Sequence, residues 1–203
     1  MKAIELNKIM KGMHLPNKFT TKGRLAYYTL THRTTRASVL VGLYLDSSID
    51  SESFIAYYFF QCLYEPFCTL NFSLGDRIGN HWNKDNITKL EKKISDLRIF
   101  NNLNTFDDFV RILIKHPYYG EKTGRDSYLA LTYFILKEYD KSLFYLDEII
   151  STENDVDEKF RSNEVNNARL IKNSIINFDY NQGITQIIEW QNQTINDIGI
   201  KIK

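Results

Sequence analysis

The residues whose types and spacing could do chemistry are Asp76, Arg77, His81 and Trp82, an acid, a guanidinium, an imidazole and an indole within the polar stretch Asp76–Asn83. A loop leaving a rigid strand is where binding residues tend to sit, and histidine is the side chain whose charge changes nearest to neutral pH. The four are therefore candidate binding residues. Against this stands a plainer account, in which Asp76 pairs with Arg77 or caps a turn. No Ser-His-Asp order, nucleophile elbow or paired-carboxylate motif accompanies them, so no residue takes a catalytic role. His14, His32 and His116 are scattered, and none stands at ligand spacing from another His, Cys or carboxylate.

Cys62 and Cys68 flank five residues and face one another if those residues form a hairpin turn. Facing positions bring Cβ atoms to roughly 4.5–5.5 Å, whereas a disulfide needs a closer approach and an oxidising compartment. They are read as two core thiols. With no second cysteine pair or histidine cluster, no metal or cofactor is expected. Gly120-Glu121-Lys122-Thr123-Gly124-Arg125 has the flavour of a phosphate loop, yet it lacks the P-loop order and follows a helix and Pro117 where a strand is required. It reads as a surface loop. His32-Arg33-Thr34-Thr35-Arg36 places basic groups at one hairpin end, which could meet phosphate, and reads as a solvated turn.

What must position the exit loop is the stretch before it, Ser53–Gly79, the densest aromatic run of the chain. Ile55, Tyr57, Phe59 and Leu63 share one face with Gln61, and Phe54, Ala56, Tyr58 and Phe60 take the other. A strand apolar on both faces belongs under cover on both sides. Tyr64-Glu65-Pro66-Phe67 turns the chain, and Cys68, Leu70, Phe72 and Leu74 alternate with Thr69, Asn71 and Ser73 in a return strand. Upstream, Leu25–Arg33 and Val39–Leu45 read as two further strands, and residues 2–13 as a short helix ended by Gly12 and Pro16. The sequence thus predicts an α+β fold: a four-stranded antiparallel meander with an N-terminal helix, over residues 1–82, followed by about six helices over residues 83–203.

Within the helical part, Ile87, Leu90, Ile94, Leu97 and Ile99 define one helix. Phe106, Phe109, Val110, Leu113 and Ile114 define another, capped at Thr105-Phe106-Asp107-Asp108 and stopped by Pro117. Four more helical segments run to about Ile198 and repeat internally. At a constant offset of 41 (Tyr180 against Tyr139), Ser127–Asp147 aligns with Ala168–Ile188, pairing Leu129 with Leu170, Phe134 with Ile175, Tyr139 with Tyr180, Ser142 with Gly183 and Leu146 with Ile187. Each copy reads as a helical hairpin.

Leu129, Ala130, Tyr133, Tyr139-Asp140, Ser142, Leu146 and Ile149 give the first hairpin a form that resembles a tetratricopeptide unit. Ala130 stands where that family has Gly, Lys137 where its turn glycine would be, and 41 residues separate the copies where the family has about 34. The order of parts, ending in Trp190-Gln191-Asn192-Gln193-Thr194, is similar to that of small uncharacterised bacterial proteins, domains of unknown function that include immunity-like members. That resemblance implies neutralisation of a toxin and carries over no catalytic residue.

The totals narrow the class. Apolar residues make up 43% and charged residues 25% of the chain, values of a globular protein, with 14% aromatic. The formal charge is +1, with 9 Lys/Arg against 6 Asp/Glu in residues 1–82 and 17 against 19 in residues 83–203. Neither part is basic enough to favour nucleic acid, and no apolar run spans a bilayer. Two cysteines and no secretory signal pattern lead to an expected cytoplasmic location. The expected function is non-enzymatic protein–protein binding; the alternative is a small-ligand binder or enzyme using Asp76, Arg77, His81 and Trp82. An open edge near residues 27–33 also makes a homodimer an expected arrangement to examine.

Overall fold

The computed structural model describes residues 1–16, 18–154 and 158–202. Helix α1 (Ala3–Gly12) precedes five strands, β1 (Thr20–Lys22), β2 (Leu25–Thr31), β3 (Ser38–Ser47), β4 (Phe54–Cys62) and β5 (Leu74–Arg77). They form one antiparallel sheet in chain order. The chain continues through α2 (Ile87–Asp96), α3 (Arg98–Asn102), α4 (Phe106–Lys115), α5 (Lys122–Ile135), α6 (Tyr139–Ser151), α7 (Glu158–Ile176) and α8 (Tyr180–Ile198). The α+β class and the antiparallel meander are as the sequence predicts.

The sheet has five strands where four are expected, because β1 is only three residues long and too short to show a period. It pairs with Leu25, Ala26 and Tyr27, whereas Tyr28–Thr31 join the ladder through β3 alone. The expected return strand over residues 68–74 is also corrected. The ladder with β4 begins only at Leu74 and takes in Asp76 and Arg77, which the sequence assigns to a loop. Residues 68–73 alternate like a strand, but their backbone is held by side chains. Gln61 Nε2 donates to the Thr69 carbonyl, Gln61 Oε1 accepts from Asn71 N, and Asn71 Oδ1 accepts from Ser73 N. A buried amide thus does the work of a neighbouring strand. Cys68 lies on this irregular path and is exposed, so only Cys62 is a core thiol.

Among the described residues seven α-helices follow the sheet where about six helices are expected. The helix expected through Ile99 breaks at Leu97, whose backbone is extended. The cap at Thr105 forms as predicted, with the Thr105 hydroxyl accepting from Asp108 N and the Asp108 carboxylate accepting from Thr105 N.

Both faces of β4 are covered. On one side Phe54, Ala56, Tyr58, Phe60 and Cys62 join a core shared with α1 and the later helices. On the other side Phe59 and Leu63 pack with Leu25, Tyr27, Leu40 and Ile200. That far face is closed by Ile195 and Ile198 at the end of α8 and by the chain after it. Gly199, at φ +63, ends the helix in the left-handed conformation. Ile200 then returns to the sheet, and Tyr27 Oη bonds both the backbone N and the carbonyl of Lys201.

Helix α8 also fastens the helical layer to the sheet. Buried Gln191 accepts from Ser38 N at 2.6 Å and donates to the Arg36 carbonyl at 3.0 Å. Thr194 Oγ1 accepts from Phe67 N and donates to the Glu65 carbonyl. Gln191→Leu keeps the volume and strands the buried Ser38 amide, so it is expected to lower the unfolding free energy by about 1–3 kcal/mol. Urea denaturation of the two proteins measures this.

Candidate functional site

Of the four residues singled out in the sequence, the structure places each in a different setting. Asp76 and Arg77 are consecutive in β5 and so point to opposite faces of the sheet. Asp76 lies opposite Tyr58 and Arg77 opposite Tyr57, with the Arg77 guanidinium over the Tyr57 ring. His81 is exposed and its Nδ1 meets Ser48 Oγ at 3.2 Å. Trp82 is 8% exposed, its indole N–H donates to the Ile78 carbonyl, and its backbone exchanges two hydrogen bonds with Phe54. A left-handed turn at Gly79, φ +73, lets the Trp82 ring fold back beneath it. The indole is a core group, and the four side chains do not converge.

The histidine that Asp76 does approach is His116, which sequence reading passes over. Its ring lies edge-on to Tyr58 at 5.7 Å and near Phe60 at 6.2 Å. Burial lowers its pKa, and the Asp76 carboxylate acts in the opposite direction. The same burial pushes the Tyr58 hydroxyl up to about 12. His116 borders an open depression of about 370 Å³ with Arg111, Lys115, Ile99 and Ile112. Only the contact across the sheet edge, invisible in a local pattern, brings these groups together.

The helical hairpins reproduce the 41-residue echo bond for bond. After α5, Lys137 N donates to Phe134 O and Glu138 N to Tyr133 O; after α7, Phe178 N donates to Ile175 O and Asp179 N to Ser174 O. These are two Schellman endings whose left-handed residues are Lys137, φ 63, and Phe178, φ 56. Tyr139 and Tyr180 stack face to face, 4.2 Å apart and within 10° of parallel. Ser142 donates to the Ala130 carbonyl, and at the matching position Gly183 lets the Phe134 ring sit where a Cβ would lie 2.5 Å away.

The turn end of these hairpins is rich in exposed apolar groups. Lys172 pairs with Asp147 and Arg169 with Glu153, as expected of an antiparallel pair of helices. Phe144 is 60%, Ile176 55% and Phe178 79% exposed. Phe178 meets Tyr180 at 6.3 Å and Phe144 meets Tyr145 at 5.1 Å, so exposed and half-buried rings adjoin.

A second unusual feature lies inside. Glu65, in the turn after β4, is 5% exposed and borders a small cavity between α5, α6, α7 and α8. One carboxyl oxygen, Oε2, has no hydrogen-bond partner. Burial is the main cause that pushes the group up to about 8; Ser127 lowers it through a hydrogen bond and Glu164 raises it. Nearby, Tyr64 Oη meets Thr132 Oγ1 at 2.6 Å, and Thr132 donates to the Tyr128 carbonyl. Burial raises the Cys62 thiol and the Tyr64 hydroxyl well above their usual values. Among the described residues no group of three His, Cys, Asp or Glu could hold a metal ion, and no helix is long and apolar enough to cross a membrane.

Comparison with protein-family models, curated proteins and solved structures gives no match to this chain.

Glu65 makes a testable contribution to stability. Its folded pKa of about 8 exceeds the ordinary 4.5, so its favourable contribution is complete below 4.5 and is lost as pH rises from there through 8. Glu65→Gln is expected to match the parent at pH 4 and to exceed it progressively up to pH 8. At about 1.4 kcal/mol per pKa unit the advantage is on the order of 4 kcal/mol. Denaturant melts across this range read the difference.

Proposed function

We propose that this chain acts without catalysis, by binding another protein through the turn end of its two helical hairpins. The observation that carries the reading is Phe178. A bulky residue in the left-handed region costs roughly 1–2 kcal/mol, and a ring that is 79% exposed gains little burial within the chain. Glycine is the usual residue at such a helix end. A large exposed ring held there, in a hairpin layer that also exposes Phe144 and Ile176, has the composition of an interface anchor, since aromatic residues dominate binding energy where they are desolvated by a partner.

The immunity-like resemblance makes a toxin the partner class to examine, and the cytoplasm the compartment in which the two would meet. Toxin neutralisation needs an exposed complementary surface and no chemistry, which agrees with the dispersal of Asp76, Arg77, His81 and Trp82 described above.

Phe178→Gly separates fold from function. Relief of left-handed strain outweighs the roughly 0.5–1 kcal/mol of added chain entropy, so the variant is expected to unfold at the same or a slightly higher temperature. Its affinity for the partner is expected to fall at least tenfold. Affinity capture from the native host with wild-type bait, followed by titration of the captured protein against both baits, reads this. No specific capture by wild type, or equal affinity for the two baits, would overturn the proposal.

A further inference from the structure

Strand β2 is 7 residues long, yet β1 covers only Leu25, Ala26 and Tyr27 at its start. Leu45 N donates to the Arg24 carbonyl and His32 N to the Ala37 carbonyl, both in the register of the β2–β3 ladder. Even-numbered residues of β2 therefore bond to β3, and the odd-numbered Leu25, Tyr27, Thr29 and Thr31 turn their N–H and C=O groups the other way. β1 meets the first two. Thr29 and Thr31 have no backbone partner on that side among the described residues, because a turn in which Phe19 N donates to the Pro16 carbonyl takes the chain out of line just before β1. We propose that this open edge, Thr29-Leu30-Thr31, receives an extended acidic segment of a partner protein as an added strand.

Three observations support the assignment. The first is the pattern of the unpaired groups. Two N–H and two C=O groups, repeated roughly 7 Å apart along the strand, match the repeat of another extended backbone, so that their ladder bonds form together. The stretch is also held in place: Tyr28 packs edge-on against Phe19 at 5.1 Å, and Thr31 Oγ1 meets Ser38 Oγ at 2.9 Å. Binding therefore has little ordering of this chain to supply. The second is the contrast between the two edges of the sheet. Edges are ordinarily blunted by charged side chains, proline, short length or a covering segment. At the opposite edge β5 is 4 residues long, carries Asp76 and Arg77, and is bridged at Leu74 by Tyr118, with Tyr119 N donating to the Ser73 carbonyl. β1 is 3 residues long and ends in Lys22. Thr29, Leu30 and Thr31 carry none of these devices, and both threonines suit a strand by type.

The third is charge. Arg33 lies just beyond the open stretch and Arg36 in the same turn; both are exposed and form no ion pair among the described residues. At the other end the Lys18 ammonium sits over the Tyr28 ring at 4.2 Å and donates to the Phe100 carbonyl, again without a carboxylate. Beside the turn, Lys137 and Asp107 both act on His32 and oppose one another. The edge is thus flanked by cations that make no ion pair, and a strand with carboxylates at its ends is their complement. The same charges disfavour a second copy of this edge as the occupant. In an antiparallel pairing about Leu30, Thr29 of each copy faces Thr31 of the other, and each Arg33 is carried toward the other copy's Tyr28 and the Lys18 above it. Like charges then meet at both ends.

The test titrates the full ¹⁵N-labelled chain with the synthetic peptide acetyl-Asp-Val-Thr-Val-Thr-Asp-amide and follows the backbone amides by NMR. Saturable shifts concentrated at Thr29 and Thr31 are expected, with slowed hydrogen exchange at both. The same peptide methylated on every valine and threonine nitrogen has lost its donors and is expected to bind about tenfold more weakly, or worse. Thr29→Pro removes an outward N–H without touching a bond to β3 and is expected to weaken binding by a similar factor. The methylated peptide decides the point on wild type alone should Thr29→Pro not fold. Arg33→Glu is expected to weaken the acidic peptide and to favour the same peptide with Lys in place of Asp. Phe178→Gly should bind the peptide as wild type does, so this edge is read apart from the hairpin turn end. No saturable shift at Thr29 and Thr31, equal affinity of methylated and unmethylated peptides, equal affinity of wild type for Asp-ended and Lys-ended peptides, or loss of binding in Phe178→Gly would overturn the proposal. So would a wild-type dimer, seen by sedimentation at micromolar concentration and lost in Thr29→Pro, which makes a second copy the occupant.

Discussion

Strand β4 is buried on both faces, so two separate layers have to cover it, and most of the fold follows from how they do. The near face, with Phe54, Tyr58 and Phe60, is closed by helices. The far face, with Phe59 and Leu63, is closed by the last turns of α8, the end of the chain and the irregular segment after the turn. Phe59 fixes that second contact. Its ring occupies the space above Gly42, where a Cβ would lie 2.2 Å away, and meets Phe72 at 4.7 Å. The far layer is therefore seated by one glycine on the neighbouring strand and by one ring from the irregular segment. This also explains why Gln61 is buried within an aromatic strand. The segment that carries Phe72 crosses the sheet out of ladder geometry, and its backbone groups need the partners that the Gln61 amide supplies.

The two-faced pattern of β4, the chain-order antiparallel sheet and the 41-residue echo are legible in the sequence because each is a periodic signal. The features that are not legible have a common character. Residues 68–73 alternate like a strand, and only the position of Gln61 in three dimensions shows that they are not one. Leu97 suits a helix by type, and its extended backbone lets the short α3 carry Phe100 into the core. Trp82 reads as a loop residue because its neighbours are polar, yet its indole hydrogen bond closes a turn under Gly79. In each case a long-range or side-chain interaction overrides a local preference.

The candidate site shows the same division. Asp76, Arg77, His81 and Trp82 are close in sequence, and a strand followed by a turn disperses them. Asp76 and His116 lie 40 positions apart in the numbering and act on one another across the sheet edge. Glu65 could be noted in the sequence only as part of a turn. Its burial depends on the Thr194 clamp, on the hairpin stack and on Trp190, none of which a local reading can place against it.

The internal repeat offers a control for deciding which side chains the fold requires. Both copies make the same Schellman bonds, so whatever differs between them at matching positions is not needed for that backbone. At Ser142 and Gly183 the shared requirement is small size: the first copy uses the space for a hydrogen bond to Ala130, the second for the Phe134 ring. At Lys137 and Phe178 the shared requirement is a left-handed backbone, which glycine would meet with less strain. Lys137 presents an exposed polar chain there, as expected of a solvated helix end. Phe178 presents an exposed ring in the same conformation, which neither the turn nor solvation calls for. The scaffold thus accounts for the left-handed backbone at Phe178, where the ring meets Tyr180 edge-on within the chain while 79% of the residue stays exposed.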